Sequence, residues 1–488
     1  MGEVQSQRLV RVFFLGAGVL LVWRFVLLYQ LGLGDDEAYY SDWGRHLALS
    51  YFDHPPLVGW ITGVFQRLSP GAEWAVRWPF VALTAGTAWG LFRLARRLGD
   101  NDAAIKTWII LTLLPLYSFG GFMAFPDIPF LAAWVWALNV SLRIEESPER
   151  ISGWLQLGCA TGLVILSKLS GVILLASIFL WMVSSTRLRA QFRTSRPWLG
   201  LALTLAIVLP VIVWNVENGF PTIRFQFWER HHSGGLSFRR WLLFLLSQAL
   251  VLSPLALILV VRECFTAFGT ISRPVSRWLL SFSLPAVAVF FIQPLFSQFM
   301  VHWTAPAYLP LLAAISWSRA RVTAFNWVYL MVVNILFLAF CSFPVVSAVQ
   351  ARWPLLKNFK SKHDISNDFY GGTDAGSWIK ELKSRTEEEA YFLTSRYQLA
   401  GWFSFYSGIP VSAVGMRANA YRYFPDSPYN MSWAGRTVIF LADNRYDAGP
   451  GTIPQLWYCE SLGTREVRRH GYHARTFMAW RCQWHEEI

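Results

Sequence analysis

From Val12 to Pro344 the chain repeats long apolar runs separated by short polar segments, and the runs lack the period-two alternation of membrane barrel strands. Each run approaches the length that carries a helix across about 30 Å of hydrocarbon. The pattern predicts spans near 12–30, 78–92, 107–120, 128–142, 152–167, 170–184, 198–214, 241–261, 278–292, 304–318 and 324–344, about eleven in all. The expected fold class is mostly α, a polytopic membrane protein with a membrane domain over 1–344. Beyond Val345 the pattern changes to a polar stretch, then AYFLTS and TVIFLA as strands with YQLAGWFSFY between them as a helix or strand. A small α/β domain over 345–488 is expected there.

Composition strengthens the membrane reading. The hydrophobic share is 54% and the charged share 15%, against about 25% charged in an average soluble domain. Much of the net charge of +13 sits between helices, and no basic stripe with interleaved aromatics lies in a soluble segment, which argues against nucleic acid. Arg93, Arg96, Arg97 and Lys106 form one cluster, Arg187, Arg189, Arg193 and Arg196 another, and Arg262, Arg273, Arg277, Arg319 and Arg321 complete the set. Such clusters mark cytoplasmic loops. With them inside, the N-terminus carrying Arg8 and Arg11 is also inside, and an odd number of spans puts the tail outside. The same rule divides 152–184 into two spans, because basic residues flank it on both sides. The first span carries Arg24 and no small-residue cleavage site before its polar flank, so it reads as a retained helix. Cys159, Cys264 and Cys341 lie in or beside apolar spans as small hydrophobes. Cys459 and Cys482 lie in the tail, where an oxidising compartment permits either a disulfide or two free thiols.

Charges held near the membrane are costly, which makes acidic residues at span ends functional candidates. GDDEAYY follows the first span with Asp35, Asp36 and Glu37, and the same loop, 31–77, continues to YFDHPP with Asp53 and His54. SDWGRHLAL and LVGWITGVFQRL in this loop are expected to form helices along the membrane surface. Asp127 in MAFPDIP is a second external carboxylate, with a helix N-cap as its structural alternative. For Asp35 and Asp36 the alternative is a solvated turn after Gly34. Lys168 in VILSKLSG is a cation for a phosphate ester or a lysine snorkelling to the interface. External cations continue with Arg224, Arg230, His231 and His232, and with His302 beside Trp303, itself open to a role in the interfacial aromatic belt. Separated carboxylates with lysine, arginine and histidine suit transfer from a phosphorylated lipid: a carboxylate takes the acceptor's proton while cations hold the departing phosphate. No Walker loop or GxGxxG segment is present.

DDEAYY, YFDHPP and AFPDIP, in this order and at these topological positions, resemble the GT-C glycosyltransferases. The likeness is to bacterial members of glycosyltransferase family 39, relatives of the protein O-mannosyltransferases and of the aminoarabinose transferase that modifies lipid A. It covers the membrane part and continues into the tail at SRYQLAGWFSFYSGIPV. The resemblance implies a GT-C fold in a bacterial inner membrane, a polyprenyl-phosphate sugar donor and transfer with inversion. It makes Asp36 the general base or acceptor-orienting carboxylate, with Glu37 in support, and gives Asp127 a part in orienting the acceptor or the donor sugar. Asp53 falls where an acidic residue implicated in metal binding lies, so a divalent metal is open. His54 stands where the aminoarabinose transferase has the lysine of Glu-Lys-Pro. Lys168 and His302 match SK-x-(S/T)-G and HW segments and go to the donor phosphate, together with His54 and Arg230. Asp35, Asp53, Tyr39 and Trp303 support the acceptor or the loop. The acceptor is lipid A, another envelope glycolipid, a polysaccharide or a protein. The competing reading is a transporter or flippase of a lipid-linked sugar. That reading expects ionisable residues near the midplane on broken helices, whereas those here lie at external ends. A structural protein with a sensory tail leaves the carboxylates unexplained.

Overall fold

The computed structural model describes residues 2–118, 120–229, 235–315, 324–352, 364–386, 389–446 and 449–485. It divides into two compact units. The first comprises Met1–Val22, His54–Leu57 and Phe80–Ile335, and the second Trp23–Asp53, Val58–Pro79 and Leu336–Ile488. Among the described residues there are twenty α-helices and one five-stranded sheet.

The first unit is helical, and a stripe on its surface is apolar. Leu205, Leu209, Ile212 and Val216, spaced three or four apart on the helix Arg196–Glu217, are all exposed. A row of large aliphatic side chains on an outer helix face is a surface for lipid tails. Among the described residues two helical stretches, Arg196–Glu217 and Pro274–Leu295, are each long and apolar enough to cross a bilayer, and up to five spans result when each bent pair counts as one. The span expected over 241–261 is in fact two helices, Phe238–Leu252 and Pro254–Gly269, bent by 104°. Pro254 has no N–H for the ladder, and Ser253 turns to φ 70° and caps the second helix by accepting from the Ala256 N–H. The division of 152–184 holds: Ile151–Ser167 and Val172–Ser184 are separate helices. Ile151–Ser167 packs side by side and parallel with Arg196–Glu217. A Cβ on Gly158 would come within 2.1 Å of the Gly200 carbonyl oxygen, and the Thr204 hydroxyl donates to the Gly158 carbonyl at 2.9 Å.

The second unit joins the first external loop to the tail. The acidic residues after Gly34 do not form a turn; they are the first turn of a helix, Asp35–Trp43, with Gly34 as N-cap. That is the end at which backbone N–H groups favour carboxylates. SDWGRHLAL contributes only its first three residues to this helix, whereas LVGWITGVFQRL is helical throughout as Leu57–Leu68. The sheet runs β2-β1-β3-β5-β4, where β1 is Tyr391–Arg396, β2 Val411–Arg417, β3 Thr437–Asp443, β4 Leu456–Arg469 and β5 Tyr472–Trp484. β1 pairs in parallel with β2 and β3, while β5 is antiparallel to β3 and β4. YQLAGWFSFY falls in the helix Tyr397–Ser407 between β1 and β2. Gly401 of that helix lies against the Asp35–Trp43 helix so closely that a Cβ would stand 2.6 Å from Tyr39 Cα. Cys459 of β4 and Cys482 of β5 are joined in a disulfide.

Candidate functional site

The sequence candidates separate between the two units. His54, Asp127, Lys168, His302 and Trp303 belong to the first; Asp35, Asp36, Glu37, Tyr39 and Asp53 belong to the second. Arg230, His231 and His232 lie outside the described residues.

In the first unit four distant segments contribute to one cluster. Pro126 occupies the N-cap of the helix Asp127–Glu146 without a capping side chain, and Asp127 follows as the first helical residue. Its carboxylate is not spent on capping. Oδ1 accepts from Lys168 Nζ at 2.8 Å, and Oδ2 lies 3.8 Å from His302 Nε2. His54 is near enough to act on the same carboxylate through its charge. Lys168 stands where Ile151–Ser167 ends, in an extended backbone before the tight turn Leu169–Gly171. That turn needs its glycine, because a Cβ on Gly171 would meet Val164 Cγ1 at 2.7 Å and the Ile165 nitrogen at 2.9 Å. The lysine side chain is 10% exposed, so it does not snorkel; its ammonium also lies 5.9 Å from the Trp303 ring centroid.

His302 sits in the short 3-10 segment Val301–Thr304, and this segment is held by a residue that sequence reasoning missed. Gln248 Oε1 accepts from the Thr304 hydroxyl at 2.7 Å and the Tyr308 hydroxyl at 3.1 Å, and its amide donates to the Val301 carbonyl at 3.4 Å. A single amide inside LLFLLSQALVL was the available signal, since a polar group in an apolar helix needs a partner. One carboxylate faced by a lysine and two imidazoles is a site with more cationic and donor capacity than acceptor capacity. Such a cluster can hold an anionic oxygen, more strongly when the imidazoles are protonated.

In the second unit the three consecutive acids have different surroundings. Glu37 is fully buried and forms a two-pronged pair with Arg77, Nε to Oε1 at 2.9 Å and Nη2 to Oε2 at 2.6 Å. Its Oε2 also accepts the Gly34 N–H at 3.0 Å. Arg77 spends its remaining donors on the carbonyls of Leu28, Leu31 and Gly32, which end the first helix. Glu37 thus anchors the loop. Asp35 accepts from Arg445 and lies 3.8 Å from Arg475, inside a cluster that also contains Asp443 and Asp368. Burial and the neighbouring Asp35 push the Asp368 carboxyl up to about 6, against the pull of Arg445. Burial is the larger cause, and a surplus of acids adds to it, since three carboxylates share two guanidiniums. Asp36, between Asp35 and Glu37 in sequence, is the exposed member of the trio.

Asp53 was open to a metal role. Its Oδ2 accepts from the Tyr39 hydroxyl and its Oδ1 from the Asn419 amide at 2.5 Å, so both oxygens are already engaged. Among the described residues no group of three or more His, Cys, Asp and Glu side chains is placed to hold a metal ion. The surroundings of Asp53 do not fit a divalent ion. They fit a structural tie between the Asp35–Trp43 helix and the tail: the Tyr39 hydroxyl also accepts the Ala420 N–H at 3.1 Å, and Tyr421 donates to Asp42 at 2.7 Å.

The chain is similar to several known proteins. Residues 53–214 match the family described as dolichyl-phosphate-mannose-protein mannosyltransferase. Lipid A galacturonosyltransferase RgtD of Rhizobium johnstonii is 23% identical over 310 residues, 60% of this chain and 63% of that protein. Undecaprenyl phosphate-alpha-4-amino-4-deoxy-L-arabinose arabinosyl transferase 2 of Proteus mirabilis is 27% identical over 240 residues, 44% of this chain and 42% of that protein. The chain thus spans less than two thirds of the length of these curated relatives. The crystal structure of ArnT from Cupriavidus metallidurans in the apo state superposes with a TM-score of 0.66 at 17% identity, over 97% of this chain and 98% of that one. The chain has the fold of that structure and is similar in sequence to the two lipid-linked sugar transferases named above.

Proposed function

We propose that this chain is an inverting glycosyltransferase that moves a sugar from a polyprenyl-phosphate donor to lipid A or another glycolipid of the bacterial cell envelope. The observation that carries the reading is the meeting of Asp127, Lys168, His302 and Trp303, from distant segments, in one cation-rich cluster of the first unit. The proposed occupant of that cluster is the donor phosphate, with Lys168 as the point charge, His302 and His54 as donors, and Asp127 fixing Lys168 in place. Arg230 keeps the same assignment within the proposal. Relatives named for undecaprenyl phosphate and for lipid A support both substrate classes.

Asp36 is assigned the proton. The acceptor hydroxyl oxygen forms a bond to the anomeric carbon as the bond from that carbon to the phosphate oxygen breaks. The bonding pair leaves with the polyprenyl phosphate, and the hydroxyl proton passes to the carboxylate. Glu37 and Asp35 are positioning residues in this scheme, as are Tyr39 and Asp53. The proposed topology has about eleven spans within 1–344, the N-terminus in the cytoplasm and 345–488 on the external side. The Cys459–Cys482 disulfide suits an oxidising compartment and supports that orientation.

The test uses full-length protein in nanodiscs with lipid A and synthetic polyprenyl-phosphate donors carrying aminoarabinose, galacturonic acid or mannose. Mass spectrometry should find one sugar increment on lipid A with one of the donors, and none with Asp36→Asn. Undiminished turnover by Asp36→Asn would refute the base assignment. Donor binding with no transfer to any glycolipid offered would count against the substrate reading.

A further inference from the structure

The first unit holds a cavity that the transferase reading does not use. About 200 Å³ of space opens among the helices Ile151–Ser167, Val172–Ser184 and Arg196–Glu217. Trp154, Leu157, Leu175, Phe179, Met182 and Trp198 line it, and Phe179 and Trp198 are largely exposed, so its mouth is on the outer face of the bundle.

Its position along the bundle follows from helix direction. Ile151–Ser167 and Arg196–Glu217 run parallel, since Trp154 meets Gly200 and Gly162 meets Ile207. Val172–Ser184 returns alongside Ile151–Ser167, bringing Trp181 to 6.5 Å from Trp154. The cavity therefore occupies the starting end of the parallel pair. Trp154 precedes Lys168 by fourteen residues, about 21 Å at 1.5 Å per residue, which separates it from the Asp127–Lys168 cluster.

At the cavity's mouth the chain is basic. Val172–Ser184 breaks by 109° into the short surface helices Thr186–Arg189 and Ala190–Arg193, and Phe192 of the second of these lines the cavity with Pro197 and Trp198 from the start of Arg196–Glu217. Arg189 and Arg193 are exposed and make no ion pair among the described residues. Arg196 reaches only the Gln191 amide oxygen, at 3.2 Å. An apolar slot that opens beside uncompensated guanidiniums, at a helix break lying along the surface, has the chemistry of an anionic amphiphile: chain inside, phosphate outside.

We infer that this slot binds an anionic phospholipid of the surrounding membrane, with one acyl chain between Trp154, Phe179 and Met182 and the phosphate on Arg189 and Arg193. The site is distinct from the donor-phosphate cluster and does not depend on the transferase reading.

Native mass spectrometry of the full-length protein, released from nanodiscs of mixed phosphatidylglycerol and phosphatidylethanolamine, tests it. Wild type should retain phosphatidylglycerol in preference to phosphatidylethanolamine. Arg189→Gln with Arg193→Gln should lower that preference by about fivefold for each arginine, the weight of one basic residue at an anionic surface. Leu175→Trp should remove the retained lipid by filling the slot, while Asp36→Asn should leave it in place. Equal retention of both lipids, or retention unaltered in both the double arginine variant and Leu175→Trp, would overturn the inference. Displacement of phosphatidylglycerol by polyprenyl phosphate at equimolar amounts would also overturn it, by assigning the slot to the donor's tail. Because the double arginine variant alters surface residues only, it separates loss of the site from loss of the fold.

Discussion

Two carboxylates, Glu37 in the second unit and Asp127 in the first, show opposite treatments of charge. In the second unit, Glu37 has both oxygens on Arg77 and a third bond from Gly34, with both partners fully buried. In the first unit, Asp127 meets Lys168 with one oxygen and holds His302 only at 3.8 Å, and His302 is nearly half exposed. The saturated cluster has no capacity left for a substrate, and its arginine also ties down three carbonyls. The open cluster retains donors that a phosphate can recruit. Saturation and burial therefore separate architecture from chemistry more sharply than residue type does. The same contrast recurs within DDE, where Asp35 and Glu37 are buried and paired while Asp36 is exposed.

The strongest way to break this comparison is to remove one member of the DDE trio at a time. Asp36→Asn should lower transfer by about 10²–10⁴-fold, the usual contribution of a positioned acid or base, without changing thermal unfolding. Glu37→Gln should do the reverse in origin: it leaves Arg77 buried without its counter-charge and should cost about 3–5 kcal/mol of stability. Fluorescence-detected size exclusion after graded heating reads the second effect, and turnover per folded molecule reads the first. If Glu37→Gln unfolds normally yet is inactive, the anchor assignment fails.

How much of this was legible in the sequence depends on which distances spacing can carry. Asp127, Lys168, His302 and Trp303 could be singled out because each sits in a polar interruption of an apolar run. Their convergence could not be derived from periodicity, since it depends on the packing of separate helices, with Asp127 and Lys168 already 41 residues apart and His302 farther still. Gln248 went unnoticed because one amide does not disturb the hydropathy of its segment, though its three hydrogen bonds hold the His302 turn. In the tail, AYFLTS and TVIFLA were readable as strands, while β4 and β5 were not. β4 is exposed along most of its length and so lacks an apolar face, and its turn to β5 uses His470 and Gly471, both at positive φ, rather than the more recognisable Asn-Gly. The span over 241–261 was read as continuous because Ser253-Pro254 leaves the apolar run intact while breaking the helix.

The open cluster can be sharpened by Lys168→Gln. If the ammonium holds donor phosphate, the donor KM should rise about tenfold to a hundredfold, the range expected for losing a hydrogen bond to a charged group. kcat should fall less, and the acceptor KM should stay unchanged. An unchanged donor KM would leave Lys168 as no more than the counter-ion of Asp127.

The smallest effect expected comes from the one place where the saturated unit is over-supplied with carboxylates. Asp35, Asp368 and Asp443 share Arg445 and Arg475, and the surplus is expressed at Asp368, whose carboxyl burial and Asp35 push up to about 6 from 3.8. A folded-state value above the unfolded one means the folded chain binds the proton more tightly. Its stabilising contribution is then complete below about pH 4 and is lost as pH rises through about 6. Asp368 is one-third exposed, so solvent screening reduces the effect to the order of 1 kcal/mol. Asp368→Asn keeps an acceptor for Arg445 but cannot ionise. Thermal unfolding of this variant should lose the decline between pH 4 and pH 6 and should exceed wild type above pH 6. A wild type whose stability rises over that interval would mean that Arg445 holds Asp368 ionised and that the cluster has no surplus charge.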